Sequence, residues 1–406
     1  MKISEFAQKN DITIDAVRHY MDLKLLLPLK NGGQYDFDNQ CQADLEEIVA
    51  LKAMRFPLKT IKKILDFKRL SNLPSAQYQD HLHACYAEQL AWLKSEELQI
   101  KGTITGLEKL LNDSQSTTKA KSQLGIHLNL LPYLCCPSCG NERLKLETDH
   151  LVDNMIFNGT LHCQCGSHLA IENGILKSGP YIESGYDVSF MLSDYIKDTD
   201  TQLITNIRKS ANWFDSKLTA DVFDSKVVLE LGSGNGFFIR GAIKRIERAH
   251  LYIAIDHDLS RHLYLKEMLE SAGSQLPIQM ICCDFKAMPL KNTCADVLVD
   301  ASGTSNYGFE HTQFLLDDIA PMIKENTKLI GSYIIFEKYA FTNPLSLDQR
   351  RFFEKDRILD NLNHHGFEIL DIGQGGSFNQ ESKYEDYFTK KDLVTNIWLY
   401  AQKRWG

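Results

Sequence analysis

Cys136-Pro137-Ser138-Cys139-Gly140 sets two thiols three positions apart on a turn, and Cys163-Gln164-Cys165-Gly166 supplies a second pair. Two such pairs meet the tetrahedral, all-sulfur preference of structural zinc, so Cys136, Cys139, Cys163 and Cys165 are the expected ligands. The second pair has one residue fewer between its cysteines, which leaves Cys135 or His162 as substitutes for the fourth ligand. A catalytic zinc is not expected, because no open-site pattern of histidine and carboxylate appears.

A second cluster lies further on. Glu230-Leu231-Gly232-Ser233-Gly234-Asn235-Gly236 leaves an apolar run and opens a helix. Glycines at such a place let the backbone approach a ligand closely at the positive end of the helix. Dinucleotide sites follow G-x-G-x-x-G, whereas here the third glycine falls one residue early and Phe237 stands in its place. Asp256 ends the next apolar run, where a carboxylate can chelate both hydroxyls of a ribose. Asp284-Phe285 follows the third run, where an acid can accept from an adenine amino group and a ring can pack on the base. After the fourth run, Asp300 and His311 are the nearest ionisable candidates for chemistry on an acceptor; each could equally be a strand-end or helix residue with no catalytic part.

Those residues resemble the class I S-adenosylmethionine-dependent methyltransferases, over roughly Val227 to Trp405. The resemblance implies that Glu230, Gly232, Gly234 and Gly236 border the amino-acid end of S-adenosylmethionine, that Asp256 holds its ribose, and that Asp284 and Phe285 hold its adenine. Methyl transfer from a sulfonium is a direct displacement, so alignment matters most, and a hydroxyl acceptor also wants a base such as Asp300 or His311. Neither the Asp-Pro-Pro-Tyr motif of amino-directed DNA methyltransferases nor the Pro-Cys nucleophile of cytosine-C5 enzymes is present. The cysteine segment resembles the small zinc ribbons that precede some methyltransferase domains.

The positioning elements follow from periodicity. Val227–Leu231, Leu251–Ile255, Ile278–Ile281, Ala295–Val299 and Leu329–Ile335 read as strands separated mostly by helical stretches, with a final pair near Gly366–Ile372 and Thr395–Gln402. A mostly parallel, doubly wound sheet follows. At the other end, Ile3–Ala7 opens a short helix and Thr13 is placed to cap a second, Ile14 to Leu23, with Ile14, Val17, Tyr20 and Met21 on one apolar face. Two short helices joined by a tight turn make a helix-turn-helix unit. Lys30–Phe37 is turn-rich and fits a two-stranded wing, and helices near Asp44–Met54 and Leu58–Leu70 complete the head.

A long helix from about Ser75 to Asn112 carries Leu82, Tyr86, Gln89, Leu93, Glu97, Ile100, Ile104, Leu107 and Leu111 at alternating fours and threes, an approximate heptad seam. With no obvious partner nearby in the chain, it reads as a dimerising coiled coil, followed by a polar linker over Asn112–Lys119.

The first seventy residues resemble the MerR family of transcriptional regulators. Ala16-Val17-Arg18-His19-Tyr20 stands at the recognition helix, Leu25-Leu26-Leu27-Pro28 and Gly33-Gln34-Tyr35-Asp36-Phe37 at the wing, and Leu51–Leu65 at the second helix pair. By that resemblance Arg18 and His19 face operator DNA, and Lys30 and Tyr35 grip phosphates. Asp15 departs from the family, which commonly has a basic residue there; an acid either accepts from a cytosine amino group or repels the backbone. A zinc ribbon and methyltransferase replace the family's short effector region.

Composition agrees with this plan. A hydrophobic content of 43% and a charged content of 24% are those of an ordinary globular protein. The net charge of −8 argues against a surface coated in basic residues. Basic residues do cluster at Arg55, Lys59, Lys62, Lys63, Lys68 and Arg69, which most simply makes a solvated helix face. The polar opening MKISEFAQKN and the lack of a long apolar window predict neither secretion nor membrane spanning, hence a cytoplasmic protein.

The expected fold is multidomain: an all-α winged helix-turn-helix head over 1–72, a dimerisation helix over 75–113, a small zinc ribbon over 130–178, and an α/β Rossmann-like methyltransferase domain over 181–406. The expected function is a homodimeric, DNA-binding transcriptional regulator whose methyltransferase domain methylates or senses a small molecule. The alternatives are a ribosomal-RNA type methyltransferase and a non-catalytic ligand sensor on the same fold.

Overall fold

A computed structural model describes residues 1–70, 76–115, 122–184, 195–219, 221–274, 276–379 and 387–404. The chain divides into two compact units, Met1–Thr117 and Thr118–Gly406. No described helix is long and apolar enough to cross a membrane.

In the first unit, helices Ile3–Lys9 and Ile14–Asp22 precede the hairpin β1 (Leu29–Asn31) and β2 (Gln34–Asp36), and helices Asn39–Ala53, Leu58–Leu70 and Ala76–Gln115 follow. Thr13 caps the second helix as expected, its hydroxyl accepting from Ala16 N–H at 3.1 Å. Val17 and Tyr20 are buried on its inner face, whereas Ile14 is exposed. Phe6 stacks on Phe37 with ring centres 4.5 Å apart and so ties the foot of the wing to the first helix. Arg69 reaches back to donate to the Leu25 carbonyl at 2.6 Å and to Asp44 at 2.7 Å. The apparent basic run is therefore partly spent inside the unit: Lys68 pairs with Glu47 at 2.6 Å and Lys62 with Asp66.

The long helix departs from expectation in its first half. Leu82 and Cys85 pack against the head's core, the Gln89 amide donates to the Met54 carbonyl at 3.0 Å, and Tyr86 meets Phe56 edge-on. Those seam positions have a partner in their own chain after all. From Leu98 onward the apolar side chains Leu98, Ile100, Ile104, Leu107 and Leu111 are exposed. Helix continues to Gln115, so the first part of the expected linker is helical; Ser75 and residues 116–119 lie outside the described residues.

The second unit is built on one sheet. Its strands are β3 (Ile126–His127), β4 (Lys145–Val152), β5 (Met155–His162), β6 (His168–Glu172), β7 (Ile175–Ser178), β8 (Val227–Leu231), β9 (Leu251–Asp256), β10 (Ile278–Cys283), β11 (Ala295–Ala301), β12 (Ile323–Lys338), β13 (Phe367–Gln374) and β14 (Leu393–Lys403). The order is β13-β14-β12-β11-β8-β9-β10-β7-β6-β5-β3, with β4 on β5. The five strands β10, β9, β8, β11 and β12 are parallel and run in the doubly wound order, and β14 enters antiparallel between β12 and β13. Every residue of β8, β9 and β10 is buried, as strands covered on both faces require.

The cysteine-bearing segment is not set apart from this sheet. Strands β4, β5, β6 and β7 form an antiparallel meander, and β7 then pairs parallel with β10 at Leu176↔Ile281, Lys177↔Cys282 and Ser178↔Cys283. The boundary expected between 178 and 181 is crossed by continuous hydrogen bonding and a shared core.

Candidate functional sites

The glycine loop leaves β8 at the parallel strand ends and enters the helix Phe237–Ile246. Gly232 has φ +66°, and a Cβ there would lie 3.0 Å from the Gly303 Cα, so the two strand-end loops meet backbone to backbone. Gly236 is the left-handed N-cap of the helix, with Leu265 closing the space a side chain would need. The carboxylate of Asp256 accepts from Gly234 N–H at 2.7 Å and from Asp258 N–H at 2.9 Å, which pins the loop to the end of β9. Asp256 is nearly sealed from solvent, so it enters as an anchor of the loop more than the open chelator expected. Asp284 lies at the next strand end, accepting from Lys286 N–H at 2.8 Å, with the half-buried Phe285 beside it.

Glu230, next to the loop on β8, is buried and accepts from the Tyr252 hydroxyl at 2.9 Å. Burial pushes its carboxyl up to about 8, although the Tyr252 bond opposes that rise.

Among the described residues, three buried polar atoms around the loop have no hydrogen-bond partner: Ser233 Oγ, Asn235 Oδ1 and Arg240 Nη2. Buried polar groups are ordinarily satisfied, so this concentration at one helix N-terminus suits a polar ligand seated there. The residues present fit S-adenosylmethionine: a glycine cradle, unpartnered donors and acceptors, and two strand-end acids.

Asp300 and His311, the two residues expected on the acceptor side, lie at the start and the end of one short helix. Asp300 is buried; its carboxylate accepts from Thr304 N–H at 2.9 Å, beside the Tyr333 ring and hydroxyl, and burial pushes its carboxyl above the usual carboxylate range. It starts the helix Gly303–Glu310 and lines a small enclosed cavity with Tyr333, so its geometry is that of a helix anchor. His311 ends that helix and is half-buried. Its ring stacks on Tyr307 at 3.8 Å and 2°, and Tyr307 meets Phe285 edge-on at 6.0 Å. His311 Nδ1 lies 3.0 Å from the Tyr307 carbonyl. An Nδ1–H donated there leaves Nε2 with its lone pair.

The sulfurs of Cys136, Cys139, Cys163 and Cys165 all lie within 4.8 Å of one another. Both turns are closed by backbone bonds, Gly140 N–H to Cys136 O at 2.8 Å and Gly166 N–H to Cys163 O at 3.1 Å. The substitutes considered for the fourth ligand turn elsewhere: the Cys135 thiol bonds the Leu290 carbonyl, and His162 pairs with Glu147. A shortened second pair still closes because Cys165 sits at the turn rather than beyond it.

In the head, Arg18 and His19 are exposed on the second helix, and the Arg18 guanidinium bonds Asp15 at 3.2 Å. Lys30 and Tyr35 face each other across the hairpin, the ammonium 5.8 Å from the ring centre. Residues 1–68 match the model of the MerR HTH family regulatory protein. The head is a MerR-type helix-turn-helix domain.

No curated protein matches the chain. Among solved structures, the chain is similar to a SAM-dependent methyltransferase from Aquifex aeolicus, at 12% identity and TM-score 0.35, covering 53% of this chain and 98% of that one. It is similar also to M. jannaschii TYW2 in complex with AdoMet, at 13% identity and TM-score 0.33, covering 64% and 93%. A third is the [4+2]-cyclase SpnF, at 14% identity and TM-score 0.35, covering 48% and 81%. The second unit's strand order and its glycine loop at a helix N-terminus are those of a doubly wound α/β sheet.

Two contacts of the MerR-type head escaped sequence reasoning. Lys52 donates to the Tyr20 hydroxyl at 2.8 Å, and Arg55 lies over the Trp92 ring at 5.2 Å. Neither has a local signal, because each joins helices whose relative placement only folding sets.

Proposed function

We propose that this protein is a MerR-type transcriptional regulator whose second unit binds S-adenosylmethionine and uses it on, or senses with it, a small molecule. The observation that carries the reading is the occurrence in one chain of a MerR-type head and a glycine loop at which Ser233 Oγ and Asn235 Oδ1 are buried with no partner among the described residues. Gly232, Gly234 and Gly236 receive the amino-acid end of the cofactor. Asp256 offers its remaining lone pairs to the ribose, and Asp284 and Phe285 receive the adenine. Bound S-adenosylmethionine would supply an electrophilic methyl group. His311, with Nδ1 held by the Tyr307 carbonyl, presents Nε2 as the proton acceptor for a hydroxyl-bearing acceptor. Asp300, buried against Thr304, shapes the helix and takes no proton.

Cys136, Cys139, Cys163 and Cys165 hold a structural zinc ion, whose tetrahedral preference four neighbouring sulfurs satisfy. Arg18 and His19 enter the major groove of operator DNA, while Lys30 and Tyr35 contact phosphates. The exposed stripe from Leu98 to Leu111 pairs with a second copy, so the operator is an inverted repeat.

Methyl-labelled S-adenosylmethionine, incubated with the protein and a cell extract, tests the enzymatic half. Label in small molecules supports a small-molecule enzyme, and label in RNA replaces that reading with the nucleic-acid one. Cofactor binding with no label anywhere makes the domain a sensor. Absence of cofactor binding sinks the reading.

A further inference from the structure

The stretch from Asp284 to Lys291 carries the adenine-side acid, and the cysteine-bearing segment grips it at both ends. At its start, Asp284 N–H donates to the Pro180 carbonyl at 2.9 Å, and the Ser178 hydroxyl donates to the Ala287 carbonyl at 2.7 Å. Gly179 between them sits at φ +61°, and a Cβ there would come 2.5 Å from the Ala287 Cβ, so the two chains touch. At the far end, Cys135 N–H donates to the Pro289 carbonyl at 3.0 Å and the Cys135 thiol to the Leu290 carbonyl at 3.2 Å. Lys291 N–H donates to the Tyr133 carbonyl at 2.9 Å, and its ammonium pairs with Glu142 at 3.0 Å. The segment leaving β7 also reaches the ribose side: Ile182 N–H donates to the His257 carbonyl at 2.8 Å, and Leu259 N–H to the Ile182 carbonyl at 2.9 Å.

We propose that the four-sulfur centre positions the adenosine side of the cofactor cleft, so that metal binding and cofactor binding are thermodynamically linked. The proposal rests on the reading that the cleft takes S-adenosylmethionine and the sulfurs take zinc. Its physical basis is the placement of the grips. Cys135 adjoins the ligand Cys136, Glu142 follows the first knuckle, and Ser178 ends the strand that closes the ribbon meander. Cys139 and Cys165 are exposed, so little apolar burial orders the knuckle tips, and the ion supplies that order instead. A turn already held at both ends has little freedom left to lose when adenosine binds. A loosened turn must be ordered by the ligand, which costs affinity. Ser178, Cys135 and Lys291 are positioning residues in this account, acting on the ligand only through the turn.

The test uses the full chain, with S-adenosylhomocysteine as probe and calorimetric titration as readout. Zinc-loaded protein should bind it more tightly than metal-stripped protein by about 5–150-fold, the usual range of coupling between sites. By reciprocity, saturating probe should raise zinc affinity, measured against a competing chelator, by the same factor. Ser178→Ala combined with Lys291→Ala should keep zinc and the far-ultraviolet circular dichroism yet weaken the probe in loaded protein. That variant decides the matter if the stripped protein unfolds. Equal probe affinity with and without metal in folded protein, or wild-type affinity in the double variant, overturns the linkage. Loaded protein that binds no probe at all defeats the cofactor reading itself, and folded, probe-binding protein that takes up no zinc when zinc is supplied defeats the metal reading.

Discussion

The Tyr252 hydroxyl of β9 donates to Glu230 of β8, the strand that runs into the glycine loop, at 2.9 Å with both side chains shut away from water. Burial holds the Glu230 carboxyl up at about 8, against an ordinary value of 4.5. Between those two values the unfolded chain has released a proton that the folded chain keeps. This group's contribution to stability is therefore complete below about pH 4.5, declines as pH rises toward 8, and is gone above it. Glu230→Gln, which keeps an acceptor for Tyr252, should flatten that decline. Urea midpoints at a series of pH values measure it, and parallel curves for both proteins would refute the assignment.

At the head, Asp15 sits on Arg18 at 3.2 Å, and both are exposed. Such a pair adds little to stability, but it places a negative charge where phosphates approach. Asp15→Asn should tighten binding to all DNA sequences. Arg18→Ala should cost about 1–3 kcal/mol on the operator and relax preference at one base pair, while Lys30→Ala should weaken every sequence alike and reduce the salt slope by about 1. Anisotropy titrations across salt concentrations separate the two, and a uniform loss in Arg18→Ala would make it a phosphate contact.

Gly232 and Gly303 approach within the space of one methyl group. Gly232→Ala combines a left-handed backbone, costing roughly 1–2 kcal/mol, with crowding of the Gly303 Cα. It should lower stability and abolish binding of S-adenosylhomocysteine. Gly241→Ala is the control: a Cβ there meets open space inside a helix and should stabilise by about 0.5–1 kcal/mol. Retained binding in Gly232→Ala would show that the loop does not face the ligand.

The exposed stripe of the long helix makes a separate claim. Leu107→Glu with Leu111→Glu should convert a dimer to a monomer in sedimentation equilibrium and weaken operator binding steeply, because one half-site is lost. Head stability should barely change, since these residues lie beyond the Leu82–Gln89 contacts that pack on it. A monomeric wild type that binds its operator normally would end the dimer reading.

What the sequence alone determined was local. The strands β8 to β12, the glycine loop, the Thr13 cap, the two cysteine knuckles and the wing all announce themselves through spacing of a few residues, because backbone geometry imposes a period or a turn chemistry there. Tertiary structure decided what depends on residues far apart. Sequence placed Asp300 and Glu230 at strand ends, where side chains alternate between faces, but only the packed sheet shows both turned inward, one to Thr304 and one to Tyr252. The seam's first half looked unpartnered until the head folded onto Leu82 and Gln89. The cysteine-bearing segment looked like a separate domain until β7 found β10, a parallel pairing between segments about a hundred residues apart that no local pattern encodes.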